Sequence, residues 1–526
     1  MALESHEAPR TSTVIGSQSE PQRRSGMMIS LIALGIYLLL PTREFYWDGV
    51  GFALAVETPP ASPDSLLFPN HLLYNLMGYA AWKAAAAAGL SFRALYVFQA
   101  LNSLFAAASV YLVWRIAAEL TQSARTSAWS ALLFAFAAQW WRFSTDANAY
   151  IPSIFFLLVS FRLMLPGMRS RPFAVGLAHS GAMLFHQLAL FFFPVAIAGF
   201  LYSPRNKGAE VGKRHGLILA GKYGATATAV TVAAYLIAFS LVRPNISSLG
   251  FRRWITVHSE DAVFWLSPVH SLRYSLRGTM RLFFGGRVNQ LHLDGITVAG
   301  ALAFVSILAL CARFFVRLRQ PAANERSDYA PSGFRAWLAA SDLTIVWILS
   351  YFIFLLFWQP QNTFYRLFYL PPLVLLISTL PAWRQRWVQF LALLAGIVCT
   401  WNFTVSIYPD SRKEANEVLS FALQHQRDWR QGAAILYANS HSDLWLIQYF
   451  NLQATWIELP SPEVKQLEGR RAEAEQKGGT LWLEGTAYDA IAKVAGGHDW
   501  LDQHIDTPGS LIQIFPAHRI RYYRIR

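Results

Sequence analysis

Phe45-Tyr46-Trp47-Asp48-Gly49-Val50-Gly51-Phe52 is the stretch on which the reading of this chain turns. It places one carboxylate among aromatic side chains, a few residues after the apolar run Met27–Leu40. Trp and Tyr at such a position suit the membrane–water interface. Arg23 and Arg24 precede the run, and basic residues favour the cytoplasmic side. Met27–Leu40 is therefore read as an anchor, with the N-terminus in and Asp48 out. A cleaved signal peptide would need a small-residue site soon after the apolar run. Pro41-Thr42-Arg43-Glu44 is a poor one, and Ala53-Leu54-Ala55 lies too far on.

Outward from that stretch the chain keeps the same character. Uncharged segments recur between charges: 21 residues between Arg93 and Arg115, 33 between Arg171 and Arg205, 20 between Lys222 and Arg243, and 23 between Arg386 and Asp410. A spanning helix needs about 20 largely apolar residues. Of the 526 residues 54% are hydrophobic, 15% aromatic and only 14% charged, against about 25% charge in an average soluble domain. This composition excludes a mainly soluble enzyme, a disordered chain and a disulfide scaffold. The net charge of +14 need not mean nucleic acid, because cytoplasmic loops of a membrane protein supply it. Cys311 and Cys399 both fall in apolar runs and suggest neither a disulfide framework nor a cysteine zinc site.

Basic loops orient the rest. Arg169 and Arg171, then Arg205 to Arg214, Arg313 to Arg326, and Arg384 with Arg386 all belong inside. Parity then makes the stretch after Arg171 a hairpin of two short helices, its tip near Phe185-His186-Gln187 facing out. It also lays the 65–82 run along the outer surface instead of across the membrane. The result is an α-helical polytopic membrane protein with about eleven transmembrane helices. Residues 1–25 read as a disordered cytoplasmic tail and 26–409 as the transmembrane domain, with outer loops at 42–93 and 244–294. Residues 410–526 are far more polar. Strand-like runs at Ala433–Ala438, Thr455–Leu459, Leu481–Glu484, Leu511–Phe515 and Arg521–Ile525 alternate with helical patterns, which predicts a small α/β extracytoplasmic domain. It has no G-x-G-x-x-G and no phosphate-binding loop.

The residues fit for chemistry gather on the outer side. Asp48 is either a turn or cap residue or a working carboxylate, and Glu57 is a second acid nine residues on. Phe68-Pro69-Asn70-His71 brings a histidine to the surface-lying run. Trp140-Trp141-Arg142-Phe143-Ser144-Thr145-Asp146-Ala147-Asn148-Ala149-Tyr150 brings Asp146, which can also cap the next helix or pair with Arg142. His186 and Gln187 are polar residues within an apolar run, and such residues tend to face a cavity or a partner. Gln359-Pro360-Gln361-Asn362-Thr363-Phe364-Tyr365-Arg366 supplies Tyr365 and Arg366, the latter as a phosphate ligand or as a side chain snorkelling to headgroups. Arg252 and Arg253 lie in a basic outer loop, which suggests an anionic ligand or lipid headgroups, or else a solvated amphipathic helix.

In order and kind these pieces resemble the membrane glycosyltransferases of the GT-C superfamily, among them the protein O-mannosyltransferases and the aminoarabinose-lipid transferases. The local resemblance is to the transmembrane protein 260-like group, also described as domain of unknown function 2723. It is carried by Trp47-Asp48-Gly49 through Glu57, Phe68-Pro69-Asn70-His71-Leu72-Leu73-Tyr74, Arg142 to Tyr150, and His186-Gln187. Residues 27–200 match in these motifs, 200–408 match only in topology, and 410–526 are not covered.

The resemblance implies a GT-C-like fold and transfer of a sugar from a polyprenyl-phosphate donor to an acceptor hydroxyl on a protein, lipid or glycan. Asp48 would be the general base and Asp146 an orienting acid, with inversion at the anomeric carbon. Glu57, His71, His186, Gln187, Arg252, Arg253, Tyr365 and Arg366 would bind substrate. No cofactor is identified, and a divalent metal between Asp48 and Asp146 is left open. The expected partners are the lipid-linked sugar, its acceptor and membrane lipid, with no nucleic acid. The cysteine-free outer domain and short loops lean towards a bacterial inner membrane with a periplasmic C-terminus. Two other classes stay open: a transporter or flippase of a lipid-linked saccharide, and a non-enzymatic envelope assembly protein.

Overall fold

The computed structural model describes residues 20–58, 62–165, 171–201, 210–244, 250–256, 267–286, 294–318, 333–380, 384–429, 432–460, 463–516 and 518–526. The loop cations Arg169, Arg205, Arg319 and Arg326 lie outside the described residues.

The first half begins with α1 (Glu20–Leu39), α2 (Trp47–Glu57), α3 (Pro63–Leu66) and α4 (Tyr74–Ala87). The next helices are α5 (Ala94–Thr121), α6 (Ala124–Ala135), α7 (Ala138–Ser144) and α8 (Tyr150–Met164). They are followed by α9 (Pro172–Phe185), α10 (Phe193–Leu201) and α11 (Glu210–Val242). Two shorter helices come next, α12 (Phe251–Thr256) and α13 (Pro268–Phe283). The bundle closes with α14 (Gly295–Leu318), α15 (Gly333–Phe357), α16 (Leu370–Ser378) and α17 (Arg384–Asn402).

Local chemistry sets several of these boundaries. Pro172 opens α9, where its missing N–H costs no hydrogen bond. His186 ends α9 in extended backbone, and its Nδ1 accepts from Leu188 N at 3.1 Å to start the 3-10 turn Gln187–Phe192. The hairpin with its tip at His186-Gln187 is thus built by a histidine cap. Among the described residues, Ala94–Thr121, Arg214–Val242 and Arg386–Ser411 are each long and apolar enough to cross a membrane. Shorter apolar helices accompany them, among them Tyr150–Met164, Pro172–Phe185, Gln187–Leu201 and Phe364–Ser378.

After α17 come a π-helical turn (Phe403–Ile407), α18 (Tyr408–Ser411) and α19 (Glu417–Gln424). The C-terminal part then reads β1 (Ala434–Tyr437), α20 (Ser442–Phe450), β2 (Thr455–Glu458), α21 (Val464–Gln476) and β3 (Leu481–Glu484). It ends with α22 (Gly485–Ile491), α23 (Gly497–His504), β4 (Ile505–Ile514) and β5 (Arg519–Ile525). The sheet order is β2-β1-β3-β5-β4, with β2, β1 and β3 parallel and β5 antiparallel to both its neighbours.

The five strands fall where the alternation placed them, with one difference. β4 starts at Ile505, six residues before the apolar run, and carries Pro508-Gly509 through a register shift between Asp506 and Leu511. Pro and Gly read as a break in sequence, but an edge strand tolerates both.

Period-two alternation gives the sheet two apolar faces. Leu436, Leu481, Leu483 and Ile525 pack on one side with Leu467 and Leu501. Ile435, Trp482 and Tyr522 pack on the other with Trp429 and Tyr449. That second core continues into Val50, Phe52, Ala53 and Val56 of α2, and into Tyr74 and Phe98. The α/β part therefore shares its core with the outer elements of the helical part, and α2 is the shared wall.

Candidate active site

The site is built from α5 outward. Gln99, Asn102 and Ser103 sit at i, i+3 and i+4, so they form one polar face near the start of an otherwise apolar helix. Gln99 Nε2 donates to the carbonyls of Thr42 and Thr145, both at 3.0 Å. Asn102 Nδ2 donates to those of Asp146 (2.7 Å) and Asn148 (2.8 Å), and Ser103 Oγ to that of Ser144 (2.9 Å). One helix face thus clasps both acidic loops and fixes their carbonyls. Sequence reasoning passed over these three residues; the signal was their helical spacing in a charge-free run.

Asp146 lies deep in this clasp, 2% exposed. Its Oδ2 accepts from Tyr46 N at 2.8 Å and its Oδ1 from Ala147 N at 2.8 Å. Burial pushes its carboxyl up to about 7 against the pull of those two N–H groups. It does not cap α8: at that end Asn148 Oδ1 accepts from Ile151 N at 3.2 Å. Asp146 holds the backbone immediately ahead of Asp48.

Asp48 lies in the first turn of α2, one residue after its start and not at its cap, which is Tyr46. Gly49 is not a turn residue either. A Cβ there would collide with the Ala147 carbonyl, so glycine is what lets α2 seat on the Asp146 loop. Burial raises the Asp48 carboxyl to about 7, and the neighbouring Tyr46 hydroxyl pulls it back. Asp48 also acts electrostatically on the hydroxyls of Tyr150 and Tyr365. A third carboxyl, Glu44, is pushed up to about 7 by burial and by Asp410, against Arg142. Nothing in the sequence marked Glu44 apart from other loop acids.

Around Asp48 is an aromatic wall. The Tyr46 and Tyr150 hydroxyls are 3.5 Å apart. The Tyr150 ring lies 4.8 Å from His186, 5.7 Å from Phe364 and 6.0 Å from Tyr365. His71 is 4.7 Å from His186, ring to ring, and meets Phe52 of α2 edge-on. Because His186 Nδ1 accepts the Leu188 N–H, the ring is the neutral tautomer with its proton on Nε2. Asp48, His71, Tyr150, His186 and Tyr365, one from each of five sequence motifs, thus meet in one place.

Four further candidates stand elsewhere. Glu57, at the far end of α2, accepts from Arg93 Nε (2.7 Å), Tyr449 OH (2.6 Å) and Ala94 N. It joins α2, the start of α5 and the C-terminal domain. Gln187 Nε2 donates to Pro69 O (3.1 Å) and Ile255 O (3.3 Å), tying the His71 turn to α12. Arg252 and Arg253 are exposed on α12.

Arg366 is fully buried. Its Nη1 donates to Tyr369 OH at 3.1 Å, and its Nη2 to Pro360 O at 2.5 Å and Ser275 Oγ at 3.2 Å. Its Nε lies against Gly278 of α13, where a Cβ would collide with it. Arg366 therefore clamps α13 to its own loop, and its hydrogen-bonding capacity is largely used there. Gly278→Ala is expected to lower stability by about 1–3 kcal/mol through overpacking, read as a fall in melting temperature.

Among the described residues no three His, Cys, Asp or Glu side chains come together as a metal site. Both Asp146 oxygens accept backbone N–H groups.

No family model and no curated protein matches the sequence. Solved structures do. ArnT from Cupriavidus metallidurans bound to undecaprenyl phosphate superposes with a TM-score of 0.57 at 11% identity, over 95% of this chain and 97% of that one. The same protein in the apo state gives 0.58 at 11% identity, over 96% and 98%. At that identity the likeness is one of fold, and it includes residues 410–526, which the sequence motifs did not reach. This chain has an ArnT-like fold along nearly its whole length.

Proposed function

We propose that this protein is a membrane glycosyltransferase that moves a sugar from a polyprenyl-phosphate donor to an acceptor hydroxyl at the outer, periplasmic face of a bacterial inner membrane. One observation carries the reading. On an ArnT-like fold, a half-buried carboxylate with a raised pKa stands at the start of the first outer helix, walled by tyrosines and histidines from four other segments.

In the proposed step the acceptor hydroxyl gives its proton to the Asp48 carboxylate as its oxygen attacks the anomeric carbon. The bond from that carbon to the phosphate oxygen breaks. Its electron pair leaves with the polyprenyl phosphate, and a single displacement inverts the centre. Tyr46, Tyr150 and Tyr365 present hydroxyls to the reacting groups, and the neutral His186 offers its Nε2–H. The negative charge growing on the leaving phosphate needs positive charge beside it. Arg252 and Arg253, exposed on α12 and tied to the His71 turn through Gln187, are assigned that role, with the buried Arg366 adding its field. Asp146 acts as a positioning residue for Tyr46 and Asp48.

A base must be ionised to work, so kcat/KM is expected to rise with pH through about 7, where Asp48 loses its proton. Tyr46→Phe removes a group that stabilises the ionised form, and so is expected to move that rise to higher pH. A Tyr46→Phe profile superimposable on wild type would remove Tyr46 from the base's surroundings.

The reading is tested with purified protein in lipid nanodiscs, a panel of polyprenyl-phosphate sugars and membrane extract, following free polyprenyl phosphate by mass spectrometry. A transferase releases it from one donor class. A flippase would move the donor between leaflets with its sugar still attached.

A further inference from the structure

We infer that the junction between α2 and the C-terminal domain is a carbohydrate subsite for the acceptor, walled by Trp47 and Trp445 and edged by the loops that follow β1 and β3. This rests on the transferase reading above and deepens it, because it assigns the acceptor hydroxyl to a sugar ring.

Trp47 precedes Asp48, yet its indole is 47% exposed. Trp445 of α20 reaches across from the C-terminal domain and lies 5.9 Å from it, the two planes 34° apart. Trp445 also covers Gly51, one turn beyond Trp47, where a Cβ would stand 3.8 Å from its ring. Two indoles from distant parts of the chain thus form a splayed apolar wall beside the proposed base. The Trp445 Nε1–H is spent on Ser440 Oγ, which fixes the ring and leaves its face as the contact surface.

Polar groups edge this wall. β1 leaves through α20 towards β2 on one side of the sheet order, while β3 leaves through α22 and α23 towards β4 on the other. The carboxyl ends of β1 and β3 are therefore a topological switch point, the place where open α/β sheets hold ligands. Thr486 Oγ1 closes its floor by accepting from Ala438 N (3.1 Å) and Asn439 N (3.2 Å). Glu484 is 6% exposed and accepts from Thr486 N at 2.7 Å, and its other oxygen is 3.5 Å from His441 Nε2. His441 caps α20, four residues before Trp445, and its side chain accepts from Leu444 N at 3.3 Å.

A pyranose has an apolar C–H face and a rim of hydroxyls. A flat aromatic wall with a carboxylate–imidazole edge matches both, as ligand sites combine apolar lining with a few placed polar groups.

The test is saturation-transfer NMR on the full-length protein in nanodiscs, with methyl hexopyranosides and methyl N-acetylhexosaminides as probes and a threonine-containing peptide alongside. Saturation of the ring C–H protons of at least one glycoside is expected in wild type. Trp47→Ala and Trp445→Ala are expected to weaken binding at least about tenfold, and Trp445→Phe to restore most of it. The half-exposed Trp47 carries the test should Trp445→Ala not fold. No saturation of any glycoside, saturation of the peptide alone, or unchanged binding in the Trp47 variant would overturn the subsite. The two readings fail separately: glycoside binding without donor cleavage removes the transferase, and donor cleavage without glycoside binding removes the subsite.

Discussion

Asp48→Asn is expected to lower the rate of sugar transfer by about 10²–10⁴-fold, the usual contribution of a positioned general base. Folding should survive, and the reason is physical. The Asp48 carboxyl is raised by burial, so the folded state binds its proton more tightly than the unfolded chain does. Stability is then lost as pH rises from about 4, where the unfolded carboxyl ionises, to about 7, where the folded one does. Asparagine has the same shape and no charge to bury. At pH 8 the variant should therefore melt at or above the wild-type temperature while being nearly inactive. A variant that loses activity only because it unfolds would show the opposite.

Glu57→Ala should act in the other way, on structure first. Glu57 has 8% of its side chain exposed and receives Arg93, the first N–H of α5 and the Tyr449 hydroxyl of the C-terminal domain. Arg93 in turn donates to the Tyr449 carbonyl at 2.5 Å and lies over the Tyr449 ring. Removing the acid leaves a cation and a phenol unsatisfied. Breaking a buried pair costs about 3–5 kcal/mol, and because Arg93 is itself 34% exposed we expect about 3 kcal/mol, the lower end. The melting temperature should fall, and limited proteolysis should cut the stretch joining α17 to β1 faster than in wild type. Should the C-terminal domain stay docked and the melt unchanged, Glu57 would have to be given back to the substrate.

Much of this architecture was legible in the sequence, for identifiable reasons. Charge-free runs and basic loops are one-dimensional signals of membrane helices, and short strand-like runs separated by helical patterns marked the five strands. The break after α9 falls at His186-Gln187, where loop parity put a turn. The site was legible in part. Asp48, His71, His186 and Tyr365, each read from the sequence as an outer-loop residue, come together. Loop membership does not say which way a side chain turns. Arg366 and Tyr365 are neighbours in one 3-10 turn, yet one is locked against Gly278 and the other faces Asp48.

Asp146 and Glu57 showed as acids in motifs. That their oxygens are taken by backbone N–H groups, Arg93 and Tyr449 depends on tertiary contacts between residues 36 to 392 positions apart. Asn402 was invisible for the same reason. Its side chain pins the end of α13 through Phe283 O and Gly285 N, and it is one polar residue at the end of an apolar helix.

The most direct measurement compares wild type with Asp48→Asn, both shown to be folded, in nanodiscs holding the donor that the panel selects. Free polyprenyl phosphate is followed over time at pH 8 in the presence of acceptor. Release by wild type and its near-complete loss in the variant is the predicted result. Equal release by both proteins would contradict Asp48 as the base, and transfer of intact donor between leaflets with no release by either would contradict the transferase itself.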